Sequence, residues 1–232
     1  MLGIAGVDGN GQSELVEAIT GLQLPDEGTI TYDGVDRTTD SRRERIEAGM
    51  AYIPEDRQER GLVMDFDLVE NGLLGSQHAA DYTSNGRINW DHTRDHAEDI
   101  IEEYDVRPPD ADAHAKSLSG GNQQKFVVGR EFARDPRLVV ASPPPRGVDV
   151  GSMEFIHDRL NALREAGRAV LLISSNLDEV QSLSDRLAVI YEGEIIDIVD
   201  PERVTEEQLG LLMAGQQPDA VPTIAADGEG RQ

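Results

Sequence analysis

Two glycine-rich stretches carry residues whose types and spacing could do chemistry. Leu118-Ser119-Gly120-Gly121-Asn122-Gln123-Gln124-Lys125 sets a serine and two glycines ahead of a helix predicted from Asn122 to about Ala133. No bulky side chain blocks the first backbone N–H groups there. Those unpaired donors, with the helix dipole behind them, suit a phosphate; an ordinary capped helix explains the same residues. Near the amino end, the short apolar strand Leu2 to Ala5 runs into Gly6-Val7-Asp8-Gly9-Asn10-Gly11-Gln12-Ser13, then a helix with Leu15, Ile19 and Leu22 on one face. This is the spacing of the phosphate loop G-x-x-x-x-G-K-[ST], with Gln12 where the lysine belongs. Backbone N–H groups from Gly9 to Ser13 can still face a phosphate, and Ser13 can offer a hydroxyl to magnesium. The charge-assisted contact to the β and γ phosphates is gone. A glycine turn that joins strand to helix without a ligand is the alternative.

The intervening elements must position these stretches. Thr29 to Tyr32 reads as a strand ended by Asp33-Gly34, Ser41 to Ala48 as a charged helix capped by Ser41, and Met50 to Ile53 as a strand. Pro54 to Leu62 is too charged for core. Val69 to Tyr104 has a helical pattern interrupted by Tyr82-Thr83-Ser84-Asn85-Gly86 and carries Trp90, the only tryptophan, so it reads as an inserted helical subdomain. Arg137 to Ala141 is an apolar strand that ends in Ser142-Pro143-Pro144-Pro145-Arg146-Gly147-Val148-Asp149. Gly151 to Ala166 is an amphipathic helix with Phe155, Ile156, Leu160 and Leu163 inward. Ala169 to Ser174 is a strand, Asp178 to Leu183 a helix, and Leu187 to Tyr191 pairs with Ile195 to Val199 across Glu192-Gly193-Glu194. Strands alternating with helices predict an α/β fold with a parallel sheet.

The chain has 232 residues, a formal net charge of −24 and a pI near 4.4. Phosphate backbones want a basic patch, so nucleic acid is excluded as a partner. With no cysteine, disulfide and thiolate chemistry are excluded too. Lys116 and Lys125 are the only lysines, and the acid is spread along the chain, as suits a protein of a high-salt, halophilic cytoplasm. No apolar run reaches the length of a membrane span. The first residues lack the regions of a signal peptide, which predicts a cytoplasmic protein.

With phosphate loop, signature and helical insert in this order, the chain from about Leu2 to Met213 resembles the nucleotide-binding cassette of ABC transporters. Through GIAGVDGNGQSEL, AYIPEDRQERGLV, LSGGNQQK and RGVDVGS it looks most like the second, C-terminal cassette of the fused ATPase subunits of sugar and nucleoside importers. The resemblance implies a RecA-like P-loop NTPase core with a parallel sheet and an inserted helical subdomain. Residues 1–60 form the first part of the core, 61–135 the helical subdomain with the signature helix, 136–215 the rest of the core, and 216–232 a disordered tail. It implies ATP and Mg as cofactors, with two cassettes sandwiching ATP so that each site takes a phosphate loop from one and a signature from the other. Gly6, Gly9, Asn10, Gly11, Gln12 and Ser13 are then the phosphate loop, with Ser13 a weak metal ligand. Ser119, Gly120, Gly121 and Gln123 serve ATP in trans. Glu55 takes the place of the glutamine that senses the permease, and Asp149 that of an aspartate near the dimer interface; both also read as solvated surface acids. Implied partners are a complete cassette, membrane permease subunits and, indirectly, an extracellular solute-binding protein, at the cytoplasmic face of the membrane.

The departures weaken the chain's own site. Ser142 and Pro143 stand where an active cassette has the aspartate that orients magnesium and the glutamate that polarises water, and the resemblance puts Asn176 at the place of the switch histidine. With the lysine also missing, no catalytic residue is intact, because phosphoryl transfer rests on positioned charge. The resemblance also implies antiparallel strands and an adenine-stacking aromatic before the phosphate loop. Only five residues precede Gly6, so a fragment, a split gene or a mis-set start is expected. Two functions from different classes follow: a subunit that lends its signature to a partner's ATP, and a nucleotide-sensing or structural half. A soluble ATPase acting on DNA or ribosomes fits the charge poorly.

Diluting molar salt to about 0.1 M lengthens the screening distance from roughly 3 to 10 Å and lets the carboxylates repel further. Thermal unfolding followed by circular dichroism should shift to lower temperature across that range; a flat profile would contradict the high-salt reading.

Overall fold

The computed structural model describes residues 1–142, 149–218 and 221–224. The chain runs through β1 (Leu2–Ala5), α1 (Gln12–Thr20), a small hairpin of β2 (Thr31–Tyr32) and β3 (Val35–Asp36), α2 (Arg42–Glu47) and β4 (Met50–Ile53). A wide helical turn at Arg57–Gly61 leads to α3 (Leu68–Leu73), a hairpin of β5 (Thr83–Ser84) and β6 (Arg87–Ile88), α4 (Trp90–Glu103) and α5 (Gly120–Phe132). Next come β7 (Leu138–Ala141), α6 (Val150–Glu165), β8 (Ala169–Ile173), α7 (Leu177–Leu183), β9 (Arg186–Tyr191), β10 (Glu194–Val199) and α8 (Glu206–Met213).

Six strands form one sheet in the order β10-β9-β1-β8-β7-β4, parallel except for β10. Both faces are covered, so strands such as Met50–Ile53 are buried throughout and read as continuous apolar runs. Ile4, Tyr52, Val140 and Ile190 pack with Val16 of α1 on one face. Ala5, Ile53, Val139 and Leu172 pack with Phe126 of α5, Ile156 and Leu160 of α6 and Leu209 of α8 on the other. The parallel order brings the loops after β1, β4, β7 and β8 to one end of the sheet, where such folds bind ligands.

Several expectations shift in detail. Leu22 is exposed, not inward, because α1 ends at Gly21, whose φ of +74° turns the chain away. The interruption at Tyr82–Gly86 is a hairpin whose Asn85 and Gly86 both have positive φ, the backbone that a two-residue turn between twisted strands requires. Within the tail predicted to be disordered, Thr223 bridges Val199 of β10 and the Ile224 N–H donates to the Ile198 carbonyl (2.8 Å). That short piece thus has backbone partners at the sheet edge.

Two buried arginine clusters fix the layers. The Arg45 side chain, 1 % exposed, donates to the carbonyls of Ala18 and Ile19 at the end of α1 and to those of Arg37, Thr38 and Asp40. A cation at a helix C-terminus meets the negative end of the dipole and satisfies carbonyls the helix leaves open. On α5, the Glu131 carboxylate accepts the Tyr52 N–H of β4 (3.1 Å) and pairs with Arg130 and Arg134, with Arg42 nearby. Burial pushes the Glu131 carboxyl up, but the arginines outweigh it and hold it below the usual carboxylate range.

Removing one member of such a cluster strands the others, so Glu131→Gln should cost about 3–5 kcal/mol in urea unfolding at neutral pH. A depressed carboxyl stabilises above its unfolded value, near 4.3, and stops doing so as pH falls through the lower folded value. The gap between wild type and variant should therefore close below about pH 4.

Candidate nucleotide cleft and signature helix

The loop between β1 and α1 has the phosphate-loop shape without the charge. Gly9 and Gly11 have φ of +88° and +104°, left-handed values that favour glycine. Gln12, the first residue of α1, folds back over the loop: its Nε2 donates to the Val7 carbonyl (3.0 Å) and its Oε1 accepts the Asn10 N–H (3.0 Å). The Asn10 side chain also donates to the Val7 carbonyl (2.9 Å). Asn10 in turn accepts the N–H groups of Glu192 and Gly193 in the β9–β10 turn, on its side-chain and backbone oxygens (3.0 and 2.9 Å). Of the N–H groups from Gly9 to Ser13, which could face a phosphate, that of Asn10 is bonded to Gln12 inside the loop.

Ser13 and Gln12 line a cleft of about 330 Å³ with Tyr52, Glu55, Ser142 and Ser174. Its charge is mostly negative: Asp8, Glu17, Glu55 and Asp56 face it, against Arg60. Arg60 is already paired with Glu17 (2.6 Å) and hydrogen-bonded to Tyr52. A magnesium triphosphate fits these residues poorly, since the loop's fixed cation is replaced, one loop donor is taken and carboxylates face the space. Ser142 lies at the cleft, its N–H bonded to the Ile53 carbonyl (2.9 Å). Pro143 lies outside the described residues. The assignment of Asn176 to the switch position is also corrected. Asn176 is exposed and caps α7 through the Glu179 N–H, whereas Ser174 and Ser175 are the residues after β8 that line the cleft.

The signature lies elsewhere; none of Ser119, Gly120 and Gly121 lines the cleft. Ser119 is the N-cap of α5, so the helix begins at Gly120, two residues earlier than predicted. The Ser119 Oγ accepts the Asn122 side-chain amide (2.9 Å), and the Arg107 N–H donates to the Asn122 Oδ1 (2.8 Å). Gly121 packs against the start of α6, where a Cβ would overlap the side chains of Asp149 and Ser152. Asp149 is exposed and caps α6, accepting the Ser152 N–H and hydroxyl (both 2.9 Å), and these bonds hold its carboxyl below the usual range.

Gln123, expected to serve ATP in trans, is turned inward in this chain. It is 3 % exposed; its Nε2 donates to the Ala115 and Leu118 carbonyls, and its Oε1 accepts from Arg57 Nε (3.1 Å) and Gln58 Nε2 (3.2 Å). It therefore ties the signature loop to the Arg57–Gly61 turn that follows Glu55. Sequence reading missed this tie and also a buried chain in which Ser174 donates to Glu179 and Glu179 meets His157 (2.6 Å). The partners lie far apart along the chain, so no local spacing announces them.

The family model described as ABC transporter matches residues 1–144. The chain is 52 % identical over 215 residues to the guanosine import ATP-binding protein NupO of Bacillus subtilis, covering 93 % of this chain and 42 % of that one. It is 45 % identical to the nucleoside import ATP-binding protein NupA of Lactococcus lactis, with the same coverage of 93 % and 42 %. To the glucose import ATP-binding protein TsgD13 of Haloferax volcanii it is 42 % identical, over 99 % of this chain and 42 % of that one. The chain thus spans less than half the length of these relatives. The fold superposes on the post-hydrolysis ATP-binding cassette MJ0796, bound to ADP and Pi, with a TM-score of 0.71 at 21 % identity, covering 87 % of this chain and 85 % of that one. For the ADP conformation of the cassette MJ1267 the values are 0.68 and 24 %, covering 92 % and 84 %.

Because a side chain at position 121 would collide with the α6 cap, Gly121→Ala should cost about 1–3 kcal/mol of stability. Urea titration of the variant checks this, and an unchanged midpoint would mean the α5–α6 contact is looser than described.

Proposed function

The chain belongs to the ABC transporter family, and on that premise we propose that it is an ATP-binding cassette of an importer for nucleosides or sugars that acts through its signature. One observation carries the reading: the helix start at Ser119–Gly121 is intact and lies away from a phosphate cleft whose own charge is reversed. The names of the relatives, import ATP-binding proteins for guanosine, nucleosides and glucose, support the solute class. A partner cassette that keeps its lysine and acids would hold ATP and Mg. The Ser119 hydroxyl and the first N–H groups of α5 would then donate to the phosphates of that ATP, which supplies the energy of transport on hydrolysis. Ser13 would be at most a weak magnesium ligand.

No helix among the described residues is long and apolar enough to cross a membrane. We therefore infer a peripheral place at the cytoplasmic face, held by permease subunits, with Glu55 and Asp149 toward permease and partner cassette. The extracellular solute-binding protein would be an indirect partner. The net charge of −24 supports a concentrated-salt cytoplasm.

The test pairs this chain with such a complete cassette and measures ATP hydrolysis. Gly120→Asp puts a carboxylate at a helix start, where the dipole tolerates it, yet against the partner's phosphate, where it repels. Turnover should fall by about 10²-fold or more, the scale of losing a preorganised donor, while the unfolding midpoint barely moves. Gln12→Ala should matter far less. The reverse order of effects would mean the roles of the two sites are exchanged, and no effect from either would favour a structural or nucleotide-sensing half.

A further inference from the structure

We propose that residues 221–224 form a removable guard strand on the outer edge of β10, and that this edge pairs with β10 of a second copy of the chain once the guard leaves. This goes beyond the signature role and does not rest on it.

The two ends of the six-stranded sheet differ. At one end β4 is buried throughout, and its Tyr52 N–H is taken by Glu131. At the other, β10 reads Glu194-Ile195-Ile196-Asp197-Ile198-Val199, four β-branched apolar residues in six, and Ile195 is 46 % exposed. An edge strand of that composition is a template for another strand. Its first half is spoiled for that purpose, because the register with β9 shifts between Ile195 and Asp197, and such a bulge bends an edge. Its second half is covered by the guard. The Ile224 N–H donates to the Ile198 carbonyl (2.8 Å), the Asp200 N–H donates to the Pro222 carbonyl (3.1 Å), and Thr223 bridges Val199 between them in antiparallel sense. The Ile198 N–H is taken by its neighbour, the Asp197 carboxylate (2.8 Å). The guard offers little edge of its own: Pro222 has no N–H, and the Thr223 N–H turns back to the Val221 carbonyl (2.9 Å).

Two interstrand hydrogen bonds and the Val221 side chain, packed against the core, are a light hold, on the scale of local opening rather than global unfolding. Release strands the Ile198 carbonyl and the Asp200 N–H. A second copy supplies the same two partners. Antiparallel pairing centred on Val199 lays the second copy's Val199 where Thr223 was, so that each Asp200 N–H donates to the other copy's Ile198 carbonyl. Such a contact is isologous, closes on a two-fold axis and leaves no further edge to grow a fibre. Asp197 and Asp200 of both copies then lie close together, so the pairing needs salt to screen them.

The experiment is sedimentation equilibrium without nucleotide in about 1 M potassium chloride, comparing the full chain with one truncated after Gln217. The truncated chain should dimerise with a Kd below about 100 μM, at least about tenfold tighter than the full chain, and come apart on dilution to about 0.1 M salt. Ile224→Pro keeps the length but removes the N–H given to Ile198, and should fall between the two. A synthetic peptide of residues 219–226 at about 1 mM should return the truncated chain to monomer. Amide exchange at Asp200 should be slow in the full chain and in the dimer, and fast in the truncated monomer at low salt. Circular dichroism confirms that each variant is folded. A truncated chain that stays monomeric at about 500 μM, a full chain that dimerises as tightly, or a dimer that the peptide leaves intact would each overturn the proposal. Hydrolysis by the assembled pair reads the signature and this association, measured without nucleotide, reads the sheet edge, so the two readings fail separately.

Discussion

The signature and one wall of the cleft depend on where α5 lies against the sheet, and a buried carboxylate fixes that position. Phe126, Val127 and Val128 are fully buried, but an apolar stripe is non-directional and permits a helix to slide or roll. The bond from the Tyr52 N–H to Glu131 does not, because it fixes one residue of α5 to one of β4. Arg130 and Arg134 compensate the charge. At its other end α5 presents Ser119, and β4 leads into Glu55 and Asp56, so one interaction sets the geometry of both the signature and a wall of the cleft. Gln123 adds a second tie between the same two regions, from α5 to the Arg57–Gly61 turn.

The exchange of lysine for glutamine in the loop changes more than charge. A lysine ammonium only donates, so it can satisfy carbonyls but cannot accept an N–H. Gln12 does both within one amide, bonding the Val7 carbonyl and the Asn10 N–H together. The loop therefore keeps its shape for internal reasons. Its retained glycines, with positive φ at Gly9 and Gly11, testify to the turn and say nothing by themselves about a phosphate.

Much of the fold was legible because it is written locally. The β1–loop–α1 unit, the buried strands and the capping serine at Ser41 follow from apolar runs, glycines and caps, and each stands where the pattern put it. The site was legible only in part. Asn176 was misplaced because the polar residues after β8 look alike in sequence, and only the backbone decides that Ser174 and Ser175 face the cleft while Asn176 caps a helix. Gln123 sat beside two glycines and took their assignment, although the helical period turns it inward, toward the carbonyls of Ala115 and Leu118. The hairpin at Asn85-Gly86 had its signal in that dipeptide, and the helical pattern on either side masked it.

The three signature residues do not carry equal weight in the functional argument. Gly121 must be glycine for packing alone, since any side chain would meet the Asp149 and Ser152 side chains. Ser119 is a good helix cap, a role that threonine, aspartate or asparagine would fill as well. Gly120 is different. It lies within α5, where the backbone is one that any residue adopts, and alanine there would favour the helix by up to about 1 kcal/mol. Neither backbone strain nor helix propensity calls for glycine at this position, and in the proposed role it would leave the first N–H groups of α5 open to the partner's phosphate. In the proposed role Gly120 is therefore more informative than Gly121, whose packing already requires a glycine.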